Sequence, residues 1–357
     1  MKDVYPRLAE HLKDLIMGYP FSEALLDLLR GMFEPAEAEV ALAIPNDLAP
    51  LEVAAAGMIA RRAGRPESEV AETLRRMADK NVIFSAPAPS GGPGYALLQA
   101  FLWHGRRDER TREMARLIIK YFTVPVTREV YGGAATKTYK YSPSGLAVDV
   151  PMQGVLPHER IGAIVEAADR IALAHCPCRV SALVLGRTDC RHSLEVCVKY
   201  DEMADFVIDR GLARAISRDE AMHVMRECEK EGLVHMVDNA QGQIKHTCNC
   251  CGCYCWNVGI IKRRKIPRDV LMAVYFIRRT EDEACIGCGA CAEICPVQAV
   301  SMVEDRAVVD LEWCIGCGVC AVRCPSGAIS IERRTQSQPP ETVGRLHQRI
   351  RMDRGRV

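Results

Sequence analysis

The sequence predicts an α+β chain of several domains, and three observations carry that prediction. Apolar residues recur at helical spacing through the N-terminal third and then give way to short runs bounded by glycine and proline. All eighteen cysteines fall into two stretches, 176–255 and 285–324. The second stretch is an internal repeat, its two halves 29 residues apart (285 to 314). A length of 357 residues suits two or three domains. With 48% hydrophobic and 26% charged residues and a net charge of +1, nothing favours general attraction to nucleic acid or membrane. The longest apolar run, 270–277, is too short to span a bilayer. The N-terminus carries neither a signal-peptide core nor twin arginines, so a cytoplasmic location is expected. Disulfides are rare in that compartment, and the cysteine spacings are of the metal-binding kind.

In chain order, Leu8, Leu12, Leu15 and Ile16 share one helical face. Ala24, Leu25, Leu28 and Leu29 share a second, stopped at Gly31, and 37–44 is a third short helix. Residues 51–98 read as a helix (51–63), a turn at Gly64-Arg65-Pro66, and a second helix (67–80) burying Val70, Leu74 and Met77. A strand (82–84), a Pro/Gly-rich wing (88–94) and a return strand (95–98) follow. This layout resembles a winged helix and gives an N-terminal domain over 1–122. The second helix opens with Glu67, Glu69 and Glu72, where a DNA reader needs donors and positive charge, and the wing has no Arg or Lys. Protein packing is therefore expected in preference to DNA binding. Residues 101–122 form a charged helix in which Arg106, Arg107, Arg110, Arg112 and Arg116 are interleaved with acids, with Trp103 and His104 structural. The connecting segment 123–157 looks extended and loop-rich, with one strand near 137–141, and is long enough to wrap across another domain or a partner.

The central domain, 158–262, begins with a helix over 158–175 that leads into Cys176. It holds Cys176, Cys178, Cys190, Cys197 and Cys228, then Cys248, Cys250, Cys251, Cys253 and Cys255. Helices at 200–210 and 217–231, the latter with the capping box Ser217…Glu220, precede a hairpin (233–237 and 243–246) that delivers the chain to Cys248. Cys228, in mid-helix, reads as a buried apolar residue. Nine thiols remain, enough for two four-thiolate sites with one spare. One partition places Cys176, Cys178, Cys190 and Cys197 together and four of the later five together; sets that mix the segments are equally allowed. The tight C-x-C bites favour one or two further iron–sulfur clusters, with zinc as the alternative metal and thiol redox chemistry as a third reading. His175, His192 and His246 flank these thiols, as ligands or, preferably, as hydrogen-bonding neighbours of ligands. Arg179 and Lys199 would offset cluster charge. No catalytic residue is assigned.

The C-terminal repeat reads Cys285-Ile-Gly-Cys288-Gly-Ala-Cys291-Ala-Glu-Ile-Cys295-Pro296 and Cys314-Ile-Gly-Cys317-Gly-Val-Cys320-Ala-Val-Arg-Cys324-Pro325. Each half is C-x2-C-x2-C-x3-C-P, and residues of about 274–332 resemble the bacterial-type 2[4Fe–4S] ferredoxin domain. The resemblance implies two [4Fe–4S] clusters. It implies that Cys285, Cys288, Cys291 and Cys324 hold one, and Cys314, Cys317, Cys320 and Cys295 the other, the fourth cysteine of each run crossing over. Gly287, Gly289, Gly316 and Gly318 would let backbone N–H groups approach the cluster sulfides. A first strand near 273–278, a hairpin (299–303 and 307–310 around Glu304-Asp305-Arg306) and a last strand near 328–331 complete a domain over 273–334. The basic linker 259–268 would lie against acidic clusters or an acidic partner, and the basic tail 335–357 is expected to be flexible or docked on a partner.

The fold class is thus α+β multidomain: an N-terminal winged-helix-like helical region, a central cysteine-rich α/β metal-binding region and a C-terminal ferredoxin-like two-cluster domain. The whole order is similar to a group of ferredoxin-like 4Fe–4S-binding proteins of anaerobic bacteria and archaea. That resemblance implies an electron-transfer protein or subunit working with a partner flavoprotein or oxidoreductase complex. The chain lacks G-x-G-x-x-G after a strand and G-x4-G-K-[ST], so it offers no dinucleotide or ATP site of those kinds. An oxidoreductase with an active-site cluster in the central region, and a redox-responsive winged-helix regulator, are the alternatives.

Overall fold

The computed structural model describes residues 3–99, 106–146 and 148–356. Helices α1 (Tyr5–Leu12), α2 (Glu23–Met32) and α3 (Pro35–Ala41) pack Leu8, Leu12, Leu25, Leu28, Leu29 and Val40 into one core. Ser22 caps α2 by accepting from the Leu25 N–H at 3.2 Å. Strand β1 (Ala54–Ala55), helices α4 (Ala56–Ala63) and α5 (Glu67–Asp79), and the hairpin β2 (Ile83–Pro87)/β3 (Pro93–Leu97) follow. The helix expected from residue 51 starts only at Ala56. Leu51 is left-handed (φ 73°), which interrupts helix, and Ala54 pairs with Tyr95 instead. The hairpin faces inward: Phe84 lies 4.9 Å from Phe206, centroid to centroid, and Arg210 donates to the Ala78 carbonyl at 3.0 Å.

The expected charged helix over 101–122 begins only at Glu109, as α6 (Glu109–Tyr121) capped by Asp108, with Arg106 and Arg107 before it; Trp103 and His104 lie outside the described residues. The segment expected to be loop-rich holds α7 (Val124–Gly132), capped by Thr123, and two strands, β4 (Tyr139–Ser142) and β5 (Met152–Gln153). It ties two sheets together, because β4 and β5 join different ones.

After a 3-10 turn (Pro157–Glu159) come α8 (Ile161–Ala167), β6 (Ile171–His175), α9 (Pro177–Val184), β7 (Glu195–Tyr200) and α10 (Asp201–Asp209). Then come β8 (Ala213–Ala215), α11 (Arg218–Lys230), β9 (Val234–Asp238) and β10 (His246–Cys250). The sheet order is β4-β9-β10-β7-β6-β8, with every neighbour antiparallel. The single helix expected over 158–175 is therefore a helix and a strand. Ile171–Ala174 is buried throughout, and a short apolar run of that kind has no periodicity to separate strand from helix. Helices α8 and α11 cover one face of the sheet through Ile164, Leu173, Val198, Met225 and Val237. Side chains alternate along strands, so Cys248 and Cys250 of β10 share the opposite face.

Helices α12 (Val258–Arg264) and α13 (Arg268–Leu271) lead into β11 (Phe276–Thr280), α14 (Ala290–Ile294), the hairpin β12 (Val300–Val303)/β13 (Arg306–Val309), α15 (Val319–Val322) and β14 (Ile329–Arg333). Strand β14 pairs antiparallel with β11 and parallel with β5. Glu304 and Asp305 both take positive φ, as a tight two-residue hairpin requires. The tail is not free of the fold. It forms α16 (Val343–Asp353), whose Leu346 and Ile350 enter the N-terminal core, while Arg354 and Arg356 donate to the carbonyls of Val130 (2.6 Å) and Leu15 (3.1 Å). The many arginines masked an i, i+4 apolar pair.

Buried His347 on α16 is held down to about 4 by burial, with Arg351 and Lys245 adding repulsion and Asp47 opposing them. The unfolded chain binds a proton that the folded one refuses between pH 6.5 and 4. Stability is therefore expected to fall as pH drops through that window. Urea unfolding of wild type and His347→Gln across it checks this; an equally steep profile in the variant refutes it.

Candidate metal centres

In the C-terminal domain, Cys285, Cys288, Cys291 and Cys324 line one small cavity with Arg278 in its wall. Cys324, from the second run, is thus brought to the first. Reciprocally, Cys295 packs with Cys314 and Cys317 in a common core, and Cys320 has Cys314 and Cys295 as charged neighbours. The Cys285 sulfur accepts from the N–H groups of Gly287 and Ala307, which hold it below the ordinary thiol range. Gly287 and Gly316 have φ of +69° and +63°, and a Cβ on them would sit 2.3 Å from the Asp305 oxygen and 2.1 Å from the Phe276 oxygen. Glycine is required there by close backbone approach as well as by φ.

Arg278 was not singled out by the sequence, because one arginine in a strand carries no signal. It is 3% exposed, and one of its N–H nitrogens has no partner. Burial opposes its charge, but Cys320, Cys291 and Cys314 outweigh that and raise its pKa. A buried guanidinium with an unsatisfied N–H among thiols fits an anionic cluster in this place. Arg268 also donates to the Cys314 carbonyl.

The central thiols are not grouped by segment. Six form a ring, three buried (Cys197, Cys250, Cys255) and three partly buried (Cys176, Cys178, Cys248): Cys176–Cys178–Cys255–Cys250–Cys248–Cys197 are joined successively by thiol hydrogen bonds, and Cys197 has Cys176 as a neighbour. Donors and acceptors alternate. Bonds from their neighbours lower the pKa of Cys176, Cys248 and Cys255, and donation raises that of Cys178, Cys197 and Cys250. The topology explains the ring. Thr247 is in register with Val198, which brings the neighbouring Cys248 and Cys197 together, and Cys176 and Cys178 sit at the start of α9. Two buried cations attend it. Lys199 loses to burial but gains more from Cys197 and Cys248, so its pKa rises. Arg179 donates to the Asn249 carbonyl at 3.1 Å and leaves two nitrogens without partners among Cys176, Cys251, Cys190 and Cys250.

Cys190, His192, Cys251 and Cys253 form a separate group whose donor atoms all lie within 4.8 Å of one another. Among the three flanking histidines, His192 is thus among the donors. His246 bonds Cys248 and lies 3.6 Å from Asp238, and His175 is exposed at the end of β6. Cys228 is buried beside Val196 and Leu233. Two further residues escaped sequence reasoning. Tyr141 is buried with Cys250, Cys255 and Cys317 as neighbours, and Tyr131 is partly buried with Cys255, Cys178, Cys248 and Cys250 as neighbours. An isolated tyrosine in a strand or helix gives no sign of such a place.

This C-terminal unit is a ferredoxin-type iron–sulfur domain. Residues 284–328 match the 4Fe-4S dicluster domain family. A 31-residue stretch, 9% of the chain, is 55% identical to the 4Fe-4S ferredoxin FdxA of Gottschalkia acidurici and spans 55% of that protein. Among the described residues no helix is long and apolar enough to cross a membrane.

Replacing Cys228 with Ala is expected to cost about 1 kcal/mol, as for an ordinary buried truncation, and to leave bound iron unchanged. Iron analysis and urea unfolding of the variant check this; loss of iron would make Cys228 a ligand.

Proposed function

We propose that this protein carries single electrons between a redox partner and its own central cysteine region, and that it works as an electron-transfer component alongside a partner flavoprotein or oxidoreductase. The observation that carries this reading is continuity. Cys317 of the second run shares a packed core with Cys250 and Cys255 of the six-thiol ring, and Tyr141 lies between them. At the other end, Cys288 is exposed and its neighbour Ile286 is 67% exposed, which suits contact with a partner. The thiols thus run in order from surface to interior, from the first run through the second to the central ring.

In this reading Cys285, Cys288, Cys291 and Cys324 hold one [4Fe–4S] cluster, Cys314, Cys317, Cys320 and Cys295 a second, and four thiols of the central ring a third. When bound, such clusters supply one-electron reduction and oxidation. Arg278, Arg179 and Lys199, themselves buried, offset anionic charge there. Gly287 contributes an N–H to the Cys285 sulfur. Tyr141 and Tyr131 keep the space between the thiol sets dry and packed.

The domains follow the same division: 1–122, the connecting segment 123–157, 158–262, and 273–334, with the tail folded back. Residues 51–98 act as a winged helix turned to packing. Support comes from the hairpin's contact with α10 and from α5, whose outward arginines pair with acids, Arg75 with Asp79 at 3.1 Å and Arg76 with Glu72 at 3.4 Å. A DNA-reading face would leave such arginines to phosphates.

Electron paramagnetic resonance of the reduced protein tests the ligand sets. Cys288→Ser and Cys324→Ser are expected to alter the same cluster signal, and Cys314→Ser a different one. If Cys324→Ser instead tracks Cys314→Ser, the crossed assignment fails. Binding to duplex DNA is expected only as a salt-sensitive background; a sequence-selective complex at physiological salt would put the regulator reading first.

A further inference from the structure

We propose that Cys190, His192, Cys251 and Cys253 hold a single tetrahedral Zn2+ ion, separate from every iron–sulfur cluster, which fastens the 186–194 loop to the turn after β10. The inference does not depend on electron transfer, because this ion would have no redox role.

The spacing suits a single ion. Cys190 Sγ lies 3.4 Å from His192 Nδ1 and 3.9 Å from Cys251 Sγ, and Cys253 Sγ lies 3.8 Å from His192 Nδ1. With Zn–S bonds of about 2.3 Å and Zn–N of about 2.0 Å, a tetrahedron has S–S edges of about 3.8 Å and S–N edges of about 3.5 Å. The observed separations match those edges.

The donor set points the same way. Three thiols and one imidazole make a closed structural zinc site. His192 presents Nδ1 to the sulfurs while its ring also bonds the Glu231 backbone, the outer partner that fixes a ligating tautomer. Glu231 in turn accepts from the Ser193 N–H at 2.8 Å, so the neighbour of the ligand is fixed as well. The adjacent residues Cys250 and Cys251 lie in different cores, Cys250 with Cys255 of the ring and Cys251 with Cys228 and Val196, against which Cys190, Cys253 and the ring's Cys176 pack. Alternation at the end of a strand thus lets a Cys-Cys pair serve two sites.

The loop also needs a fastening. Residues 187–194 contain no helix or strand, yet they run beside the thiol ring. Tyr254 donates to Asp189, which joins the two ligand-bearing segments from the outside, and Arg263 holds the second of them by donating to the Cys253 carbonyl. On binding, the three thiols release three protons to solvent and the imidazole binds in its neutral form.

X-ray absorption at the zinc edge, on full-length protein purified without oxygen, tests the proposal. About one zinc per chain is expected beside about twelve iron for three cubanes, with three sulfurs at about 2.3 Å and one nitrogen at about 2.0 Å around the zinc. His192→Cys should keep the zinc and convert the shell to four sulfurs. His192→Ala should lose zinc to a chelator that leaves the wild type loaded, with iron unchanged. A wild type without zinc, a four-sulfur shell in the wild type, or loss of iron with His192→Ala would overturn it. Failure of the electron-transfer reading would appear separately, as clusters that no reductant can reduce.

Discussion

Thiolates cannot be gathered inside a protein without a counter-charge, and that constraint shapes this molecule more than any other. An anion moved from water into a low-dielectric interior loses solvation that only a nearby cation or donor can replace. Arg179, Lys199, Arg268 and Arg278 are all buried, in a chain whose buried polar residues are otherwise mostly neutral or paired. Arg179, Lys199 and Arg278 have thiols as neighbours, and Arg268 donates to the Cys314 carbonyl. Arg179 and Arg278 also leave nitrogens without partners, an arrangement that would be costly if the thiols stayed neutral and lacked metal. The cations are thus matched to the charged state of the sites.

The architecture follows from placing these groups. The central sheet is covered on one face by α8 and α11 and turns its other face, with Cys197, Cys248 and Cys250, toward the ferredoxin-type domain. The segment between α7 and α8 gives a strand to each sheet, β4 to the central one and β5 to the C-terminal one. Two domains that share strands in this way cannot drift apart without breaking backbone hydrogen bonds. Helix α16 then carries the chain back to the first core. An electron carrier benefits from such rigidity, because tunnelling between sites depends steeply on separation.

The segment from α4 to β3 fits the same logic. Its hairpin is taken up against α10 through Phe84 and Phe206, and the outward face of α5 is occupied by paired charges. A module that in isolation suggests nucleic-acid recognition is here built into the support of the cysteine region.

What the sequence determined by itself was whatever rests on short spacing. The doubled C-x2-C-x2-C-x3-C-P run, the hairpin at 304–306 and the helices with a clear apolar stripe are local patterns, and local geometry realises them directly. What only the tertiary structure decided was whatever needs distant segments to meet. Residues 171–174 look alike as helix or strand until a sheet offers them neighbours on both sides. The α16 stripe is two apolar residues among arginines until the N-terminal core receives it. The division of the central thiols is the clearest instance. Nothing in the spacing of Cys190 and His192 assigns them to Cys251 and Cys253, some sixty residues on, rather than to Cys197 (in chain terms, much nearer). The sheet register and the path of the loop make that choice, because a metal site is defined by where sulfurs converge in space and not by their order along the chain.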